Sequence, residues 1–213
     1  MTRPSIRQAA VIGVLATTTA LSGCAALLVG GAVVGGSLVA ADRRSSGAQI
    51  DDKSIELRAG TRVRDVLGDR GHVNATSYNR LVLLTGEVPT EADRTNVEQA
   101  VARVDNVKSV VNELAVMTAS SLSQRSNDAL VTTKVKATLV DAGDISSTAF
   151  KVFTERGTVY LMGRVTEREA ERASDLARSI SGVQKVVKVL EIVTDAELAE
   201  IDPKAVPKSA AAR

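Results

Sequence analysis

The stretch "TVYLMGRVTEREAERASDLARSISGVQKVVKVLEIV", residues 158–193, contains a strand, a helix and a second strand in that order. Its apolar run VYLM is bounded by a glycine, which predicts a buried strand. Thr166 followed by Glu169 forms a capping box, which predicts the start of a helix, and Gly182 lies where that helix would end. The valine-rich segment 183–193 predicts the second strand. We expect the helix to form a right-handed crossover that brings the two strands together as parallel neighbours.

The same pattern occurs a second time, in "LVLLTGEVPTEADRTNVEQAVARVDNVKSVVNELAV", residues 81–116. Gly86 of this copy aligns with Gly163 of the other. Upstream of this pattern each copy has a strand candidate (73–78 and 150–154) and a helix candidate (55–67 and 127–140), with residues 62–64 aligned to residues 134–136. We therefore predict an α+β fold of two tandem modules. Each has the order α-β-β-α-β and a three-stranded mixed sheet packed on two helices.

The N-terminus has the three parts of a secretory signal peptide. Arg3 and Arg7 supply positive charge, residues 9–20 are uncharged and mostly apolar, and small residues follow. The tetrapeptide Leu-Ser-Gly-Cys at 21–24 matches the bacterial lipobox, so the chain resembles a lipoprotein precursor. This resemblance implies cleavage just before Cys24 and lipidation of Cys24.

Two other interpretations of this segment remain open. Cys24 is the only cysteine of the chain, so it forms no internal disulfide, and it could be a small buried side chain. Residues 8–41 contain no charged residue. A membrane-spanning helix needs about 20 residues, so an uncleaved anchor is the second alternative. The residue after Cys24 is alanine, not the aspartate that favours inner-membrane retention in bacterial lipoproteins. By that resemblance we expect the outer membrane, with the modules on its periplasmic face.

The Gly-x-Val strand end, the Thr-Glu helix start and the Gly-Val-x-x-Val-x-x-x-Leu segment resemble the BON-domain family. The first copy departs from this pattern only modestly, with Asn106 in place of the usual glycine and Gly60 inside its first helix. Two copies behind a lipobox are similar to the arrangement in a family of dual BON-domain outer-membrane lipoproteins. The segment "SNDALVTTKVKATL" of the second copy also resembles that family. We predict a signal peptide (1–23), a lipidated tether (24–46), BON domain 1 (47–118), BON domain 2 (119–194) and a disordered tail (195–213). The tail is expected to begin as a frayed helix.

The sequence contains no P-loop, no GxGxxG after a strand, no GxSxG and no HExxH. Asp51 and Asp52, and likewise Asp141 and Asp144, are expected in solvated loops or caps. His72 is expected at the surface without a ligand role. One histidine and one cysteine argue against a dedicated transition-metal site. We predict a protein that is not an enzyme and has no cofactor, metal or small-molecule substrate, with a hydrolase of unrecognised site as an alternative.

The family resemblance implies binding of an anionic phospholipid membrane through the second module, in support of outer-membrane integrity. The distribution of charged residues agrees with membrane binding through the second module. Residues 120–194 carry eleven Lys and Arg against nine Asp and Glu, whereas residues 47–118 carry nine against eleven. The second module is therefore the better candidate for an anionic surface. Nucleic acid is not an expected partner, because basic residues alternate with acidic ones and aromatic residues are scarce.

The helix at 127–140 presents two different sides on a helical wheel. Residues 131, 135, 138 and 139 form one stripe, which predicts the side that faces the core. The opposite side is weakly apolar with lysines at its edges, as in helices that lie on a membrane surface. The predicted phospholipid contacts are Leu130, Thr133, Lys134 and Ala137. Two alternatives remain open for this face, namely packing against the other module and docking of an envelope protein, in which case the chain is an interaction scaffold.

Overall fold

The computed structural model describes residues 42–202, and within them the predicted order of elements is confirmed. The first module consists of α1 (Ser46–Leu67), β1 (His72–Tyr78), β2 (Leu81–Val88), α2 (Glu91–Ala102) and β3 (Ser109–Val116). The second consists of α3 (Leu122–Ala142), a short 3₁₀ turn (Ser147–Ala149), β4 (Phe150–Glu155), β5 (Thr158–Val165), α4 (Glu167–Arg178) and β6 (Lys185–Ile192), and is followed by α5 (Asp195–Ile201). None of these helices is both long and apolar enough to cross a bilayer.

Both sheets have the same topology. The middle strand pairs antiparallel with the strand before it and parallel with the strand after the crossover helix, giving the orders β1-β2-β3 and β4-β5-β6. The predicted capping box is present at the start of α4. Thr166 Oγ1 accepts from the Glu169 N–H, and the Glu169 carboxylate accepts from the Thr166 N–H. The α+β fold with mixed three-stranded sheets is thus confirmed.

The middle strands are buried on both faces. In β2, Val82 and Leu84 pack against the module's own helices, whereas Leu83 belongs to a cluster with Tyr160 and Met162 of β5. The Phe153 and Tyr160 rings stack in this cluster with centroids 5.2 Å apart. Each module therefore buries one sheet face under its helices and the other face against the second module.

The structure corrects the alignment of the two first helices. The buried residues of α1 are Asp52, Ile55, Ala59, Val63 and Leu67, and those of α3 are Asp128, Val131, Val135 and Leu139. Val63 thus corresponds to Leu139 and not to Val135, so the alignment of 62–64 with 134–136 is wrong by one helical turn. Matching pairs of basic residues had suggested that alignment, but the positions that face the core decide it.

Two predicted boundaries also change. The helix α1 begins at Ser46 and not near residue 55, and it continues through Gly60 as predicted, because burial of its apolar stripe outweighs the cost of one glycine, about 1 kcal/mol. Residues Asp195–Ile201, expected as a frayed helix at the head of a disordered tail, form a helix with a capping box at Thr194 and with Leu198 buried, so the prediction of disorder is wrong for these residues. The remainder of the predicted tail, 203–213, lies outside the described residues.

Candidate functional site

The outer face of α3 is the first candidate site. Leu130 has 60% of its surface exposed, and Thr133, Lys134 and Ala137 beside it are also exposed. The opposite stripe is buried at Val131, Val135 and Leu139, as the sequence predicted. The exposure of Leu130 excludes the alternative in which this face packs against the other module.

A groove of about 580 Å³ lies along the first half of this helix. Leu130 and Lys134 line one wall, and the turn at Arg156 and the loop at Gln184 line the other. Of the four predicted contacts, Leu130 and Lys134 line this groove, whereas Thr133 and Ala137 are not among the residues that line it. A smaller groove of about 180 Å³ near exposed Val140 is lined mostly by apolar surface.

A buried aspartate fixes the position of this helix against the sheet. Asp128 Oδ2 accepts from the Arg156 N–H at 2.8 Å and Oδ1 from the Gly157 N–H at 2.9 Å, both in the β4–β5 turn. Arg156 and Gly157 have positive φ (50° and 68°), as in the tight turns typical of hairpins, so their N–H groups point out of the ladder and need an acceptor. The carboxylate therefore locks the helix start to the turn that borders the groove.

Asp52 has the same role in the first module, where it accepts from the N–H groups of Asn79 and Arg80 in the β1–β2 turn. Its side chain also accepts from Ser77 Oγ and from Arg44. Burial alone would raise the pKa of Asp52, but these hydrogen bonds lower it below its usual range. The expectation of a solvated loop or cap role for Asp52 is therefore wrong, since this side chain is buried within α1.

A second candidate site is a buried polar cluster where the modules meet. Glu87 of β2 is fully buried, with Oε1 accepting from Arg156 at 3.0 Å and Oε2 accepting from the Ser120 N–H at 3.0 Å. Arg156 also donates to the Gly86 carbonyl at 2.8 Å. Burial would raise the pKa of Glu87, but Ser120 and Arg156 lower it below its usual range. This cluster ties β2 of one module to the β4–β5 turn of the other.

His72 borders this cluster, contrary to the expectation that it lies at the surface. Its side chain is only 22% exposed, and Nδ1 lies 3.5 Å from Glu87 Oε2 and 3.9 Å from Glu155 Oε1. Nδ1 is buried, and among the described residues it has no hydrogen-bond partner. Burial, together with the charges of Glu87 and Asp128, raises the pKa of Glu155. Only the position of His72 at the start of a strand pointed to this arrangement, because the glutamates come from two other strands.

The last residues of the predicted tether belong to the folded part. The guanidinium of Arg43 is fully buried and makes two bonds of 2.8 Å to the Glu169 carboxylate. It also donates to the Arg164 carbonyl at 3.0 Å and to Asp202 at 3.3 Å. The prediction of a tether to residue 46 is therefore wrong at its end, because a buried charge requires its partners and so holds the chain in place.

Comparison with known proteins assigns the two modules. The family model of the BON domain matches residues 52–118 and 127–194. This chain belongs to the BON-domain family. It is 39% identical, over 90% of its length and 98% of the relative, to the outer membrane lipoprotein DolP of Haemophilus influenzae, and so it is a DolP-like protein with two BON domains. The predicted family and outer-membrane lipoprotein localisation are confirmed.

Two further similarities are more distant. A 21 kDa hemolysin of Actinobacillus pleuropneumoniae is 33% identical over 71% of this chain and 79% of the relative. Among solved structures, the C-terminal domain of CdsD, a structural protein of the type III secretion system of Chlamydia trachomatis, has a TM-score of 0.28 and 12% identity, covering 63% of this chain and 96% of that one. Cys24 and the rest of the chain up to residue 41 lie outside the described residues.

Proposed function

We propose that this outer-membrane lipoprotein binds anionic phospholipid through the outer face of α3, and that it is anchored by lipidation of Cys24. The observation that carries the proposal is the exposure of Leu130 beside Lys134 on the wall of one groove. An apolar side chain that enters the acyl region next to a cation that meets the phosphate is the pairing found in helices at membrane surfaces. A relative named a hemolysin fits the same environment, since that word describes lysis of a cell membrane.

The strength of this contact follows from its parts. Burying a leucine side chain contributes about 2 kcal/mol, and a lysine near an anionic surface about 1 kcal/mol. With Leu130 and Lys134 alone the sum is about 3 kcal/mol, which corresponds to a dissociation constant in the millimolar range. Such a contact matters only if the protein is already held at the membrane, where the effective concentration is high. The lipid anchor and the α3 face are therefore proposed to act together.

Vesicle co-sedimentation tests the α3 face without the anchor, provided that the lipid concentration is raised to about 5–10 mM, comparable to the dissociation constant derived above. The mature chain with Cys24→Ser is mixed with vesicles rich in phosphatidylglycerol or made only of phosphatidylcholine. We expect binding to the anionic vesicles alone and a loss of that binding in Leu130→Glu. The matched control is Leu57→Glu, since Leu57 is an equally exposed leucine (65%) on the corresponding helix of the first module.

Equal binding to both lipids, or equal effects of the Leu130 and Leu57 substitutions, would refute the lipid proposal. Either outcome would favour the alternative in which α3 docks an envelope protein. The mechanism proposed in either case is binding and not turnover. The anchor has its own test: mass spectrometry of the mature N-terminus should show an acylated Cys24, and an unmodified Cys24 or an intact Met1 would contradict it.

A further inference from the structure

Three side chains of a kind that bind metal ions meet where the two modules join. His72 of β1 and Glu87 of β2 belong to the first module, and Glu155 of β4 belongs to the second. One ligand atom from each lies within 4.8 Å of the others, and both glutamates are buried. An imidazole together with carboxylates is the mixed nitrogen and oxygen donor set that zinc accepts.

The distances fit a tetrahedral ion after small side-chain movements. Zinc bonds to nitrogen and oxygen are about 2.0–2.1 Å, so two ligand atoms of a tetrahedral site lie about 3.3 Å apart. The structure has 3.5 Å from His72 Nδ1 to Glu87 Oε2 and 3.9 Å from Nδ1 to Glu155 Oε1. The third side, between the carboxylate oxygens of Glu87 and Glu155, is within 4.8 Å. Side-chain rotations that move each ligand atom by less than about 1 Å close the triangle to the tetrahedral size.

The bonding of each ligand leaves room for the ion. His72 Nδ1 is buried with no hydrogen-bond partner in the described part of the chain. Glu155 accepts one hydrogen bond, from Asn74 to Oε2, which leaves Oε1 for the ion. Glu87 Oε2 accepts from the Ser120 N–H, and the Ser120 hydroxyl at 3.2 Å is the one contact that an ion would displace.

The charges around the three ligands also favour a cation. Asp128 is the third carboxylate at this junction, although the β4–β5 turn already satisfies both of its oxygens. Of the arginines, Arg156 is bonded to the far oxygen of Glu87, Oε1, and Arg125 is bonded to Ser120. No arginine or lysine of residues 42–202 is paired with Glu155, so its negative charge is the one that a cation would neutralise.

Access from solvent is provided by a second groove, of about 330 Å³, beside α3. His72, Asn74 and Glu155 line one side of it, and α3 lines the other with Thr132, Asp128 and Arg125, whose guanidinium is bonded to Ser120. The sequence argued against a metal site because it has one histidine and one cysteine. A site with one imidazole and two carboxylates needs no second residue of either kind.

We propose that His72, Glu87 and Glu155 form a zinc site that clamps the two modules together, with its fourth position open to the groove beside α3. Binding of the ion joins β1 and β2 of the first module to β4 of the second. The ion thereby reduces movement between the two modules at the place where α3 packs.

The single histidine makes the test direct, since the imidazole proton signals in an NMR spectrum come from His72 alone. The mature lipoprotein is purified in detergent without a polyhistidine tag, stripped with a chelator and titrated with zinc chloride at pH 7.5. We expect the imidazole signals to shift and to saturate at one equivalent of zinc. Thermal unfolding should move to higher temperature with zinc, because an ion that binds only the folded state stabilises it.

Variants test whether the site joins the two modules. Glu155→Gln should weaken zinc binding measured by calorimetry at least about tenfold, and His72→Gln should abolish it. Asp105→Asn, at an exposed carboxylate (85%) away from the cluster, is the matched control and should leave the affinity unchanged. The proposal is overturned if the imidazole signals do not respond to zinc, or if Glu155→Gln binds zinc as tightly as the wild type. The NMR measurement uses the wild-type protein, so its outcome does not depend on whether a variant folds.

Discussion

Replacement of Arg43 by methionine should destabilise the protein by about 3 kcal/mol. The substitution keeps most of the side-chain volume but leaves the buried Glu169 carboxylate without its cation. Breaking a buried ion pair from one side typically costs 3–5 kcal/mol. We expect the lower end because Glu169 still accepts from the Thr166 N–H at 3.0 Å, and because Asp202 is 22% exposed and regains water.

The assay is urea unfolding of the mature chain with Cys24→Ser, followed by circular dichroism. With a slope of about 2 kcal/mol per molar urea, the midpoint should fall by about 1.5 M. Addition of Glu169→Gln should restore most of the loss, since no charge then stays buried alone. A cost below about 1 kcal/mol, as at an exposed pair, or a double variant less stable than Arg43→Met, would refute this reasoning.

The stability difference between the wild type and Arg43→Met should depend on pH in a definite direction. Burial alone would raise the pKa of Glu169, but Arg43 and the Thr166 N–H lower it below its usual range. The unfolded chain therefore binds the proton more readily, and the stabilisation is present at neutral pH and lost as the pH falls through the folded-state value. Wild type and Arg43→Met should accordingly become more alike in stability in acid than they are at pH 7.

Other substitutions probe the remaining parts of the fold. Gly60→Ala should stabilise by about 0.5–1 kcal/mol in urea unfolding, because Gly60 is a helical glycine with open space around it. Gly86→Ala should destabilise by at least about 2 kcal/mol in the same assay, because its φ is 113° and a Cβ would lie 2.0 Å from the His72 carbonyl oxygen. Asp52→Asn should cost about 2 kcal/mol at pH 7, because the amide keeps one acceptor oxygen and leaves one of the two N–H groups of Asn79 and Arg80 without its partner. Since the pKa of Asp52 is lowered in the folded state, the cost measured by unfolding at several pH values should shrink in acid. Leu83→Ala should cost about 2–4 kcal/mol by differential scanning calorimetry and leave the far-ultraviolet circular dichroism of the folded state unchanged, because Leu83 is fully buried between the two sheets.

The order of elements was predictable because each boundary has a local cause. Thr166 with Glu169 starts a helix whatever surrounds it, and apolar runs bounded by glycine form strands. The repeated glycine at Gly86 and Gly163 was visible in the sequence, but its physical reason was not. The Cα of Gly86 faces the start of β1 so closely that no side chain fits. The outer face of α3 was also predictable, because helical periodicity assigns Val135 to the core and Leu130 to the opposite side.

The contacts between modules were not predictable, because they depend on strands that are far apart in the chain. Runs such as LVLL and VYLM lack the alternation of a one-sided sheet, which is the signature of burial on both faces, but that signal does not name the partner. The sequence gives no sign that His72 meets Glu155, since the two lie on different modules. Likewise, Arg43 has the sequence context of a polar linker residue, and only the folded structure shows that it pairs with Glu169.

The position of Arg43 determines how mechanical load passes into the protein. From Cys24 to Arg43 the chain has roughly 19 peptide units, which reach at most about 65 Å. A pull from the proposed anchor at Cys24 meets the bonds of Arg43 to Glu169 before it meets any backbone bond of α1. The force is therefore taken up by the second module, although the helix that follows belongs to the first. Tension on the proposed anchor should therefore load the Arg43 contacts of the second module first, and α1 of the first module only after those contacts break.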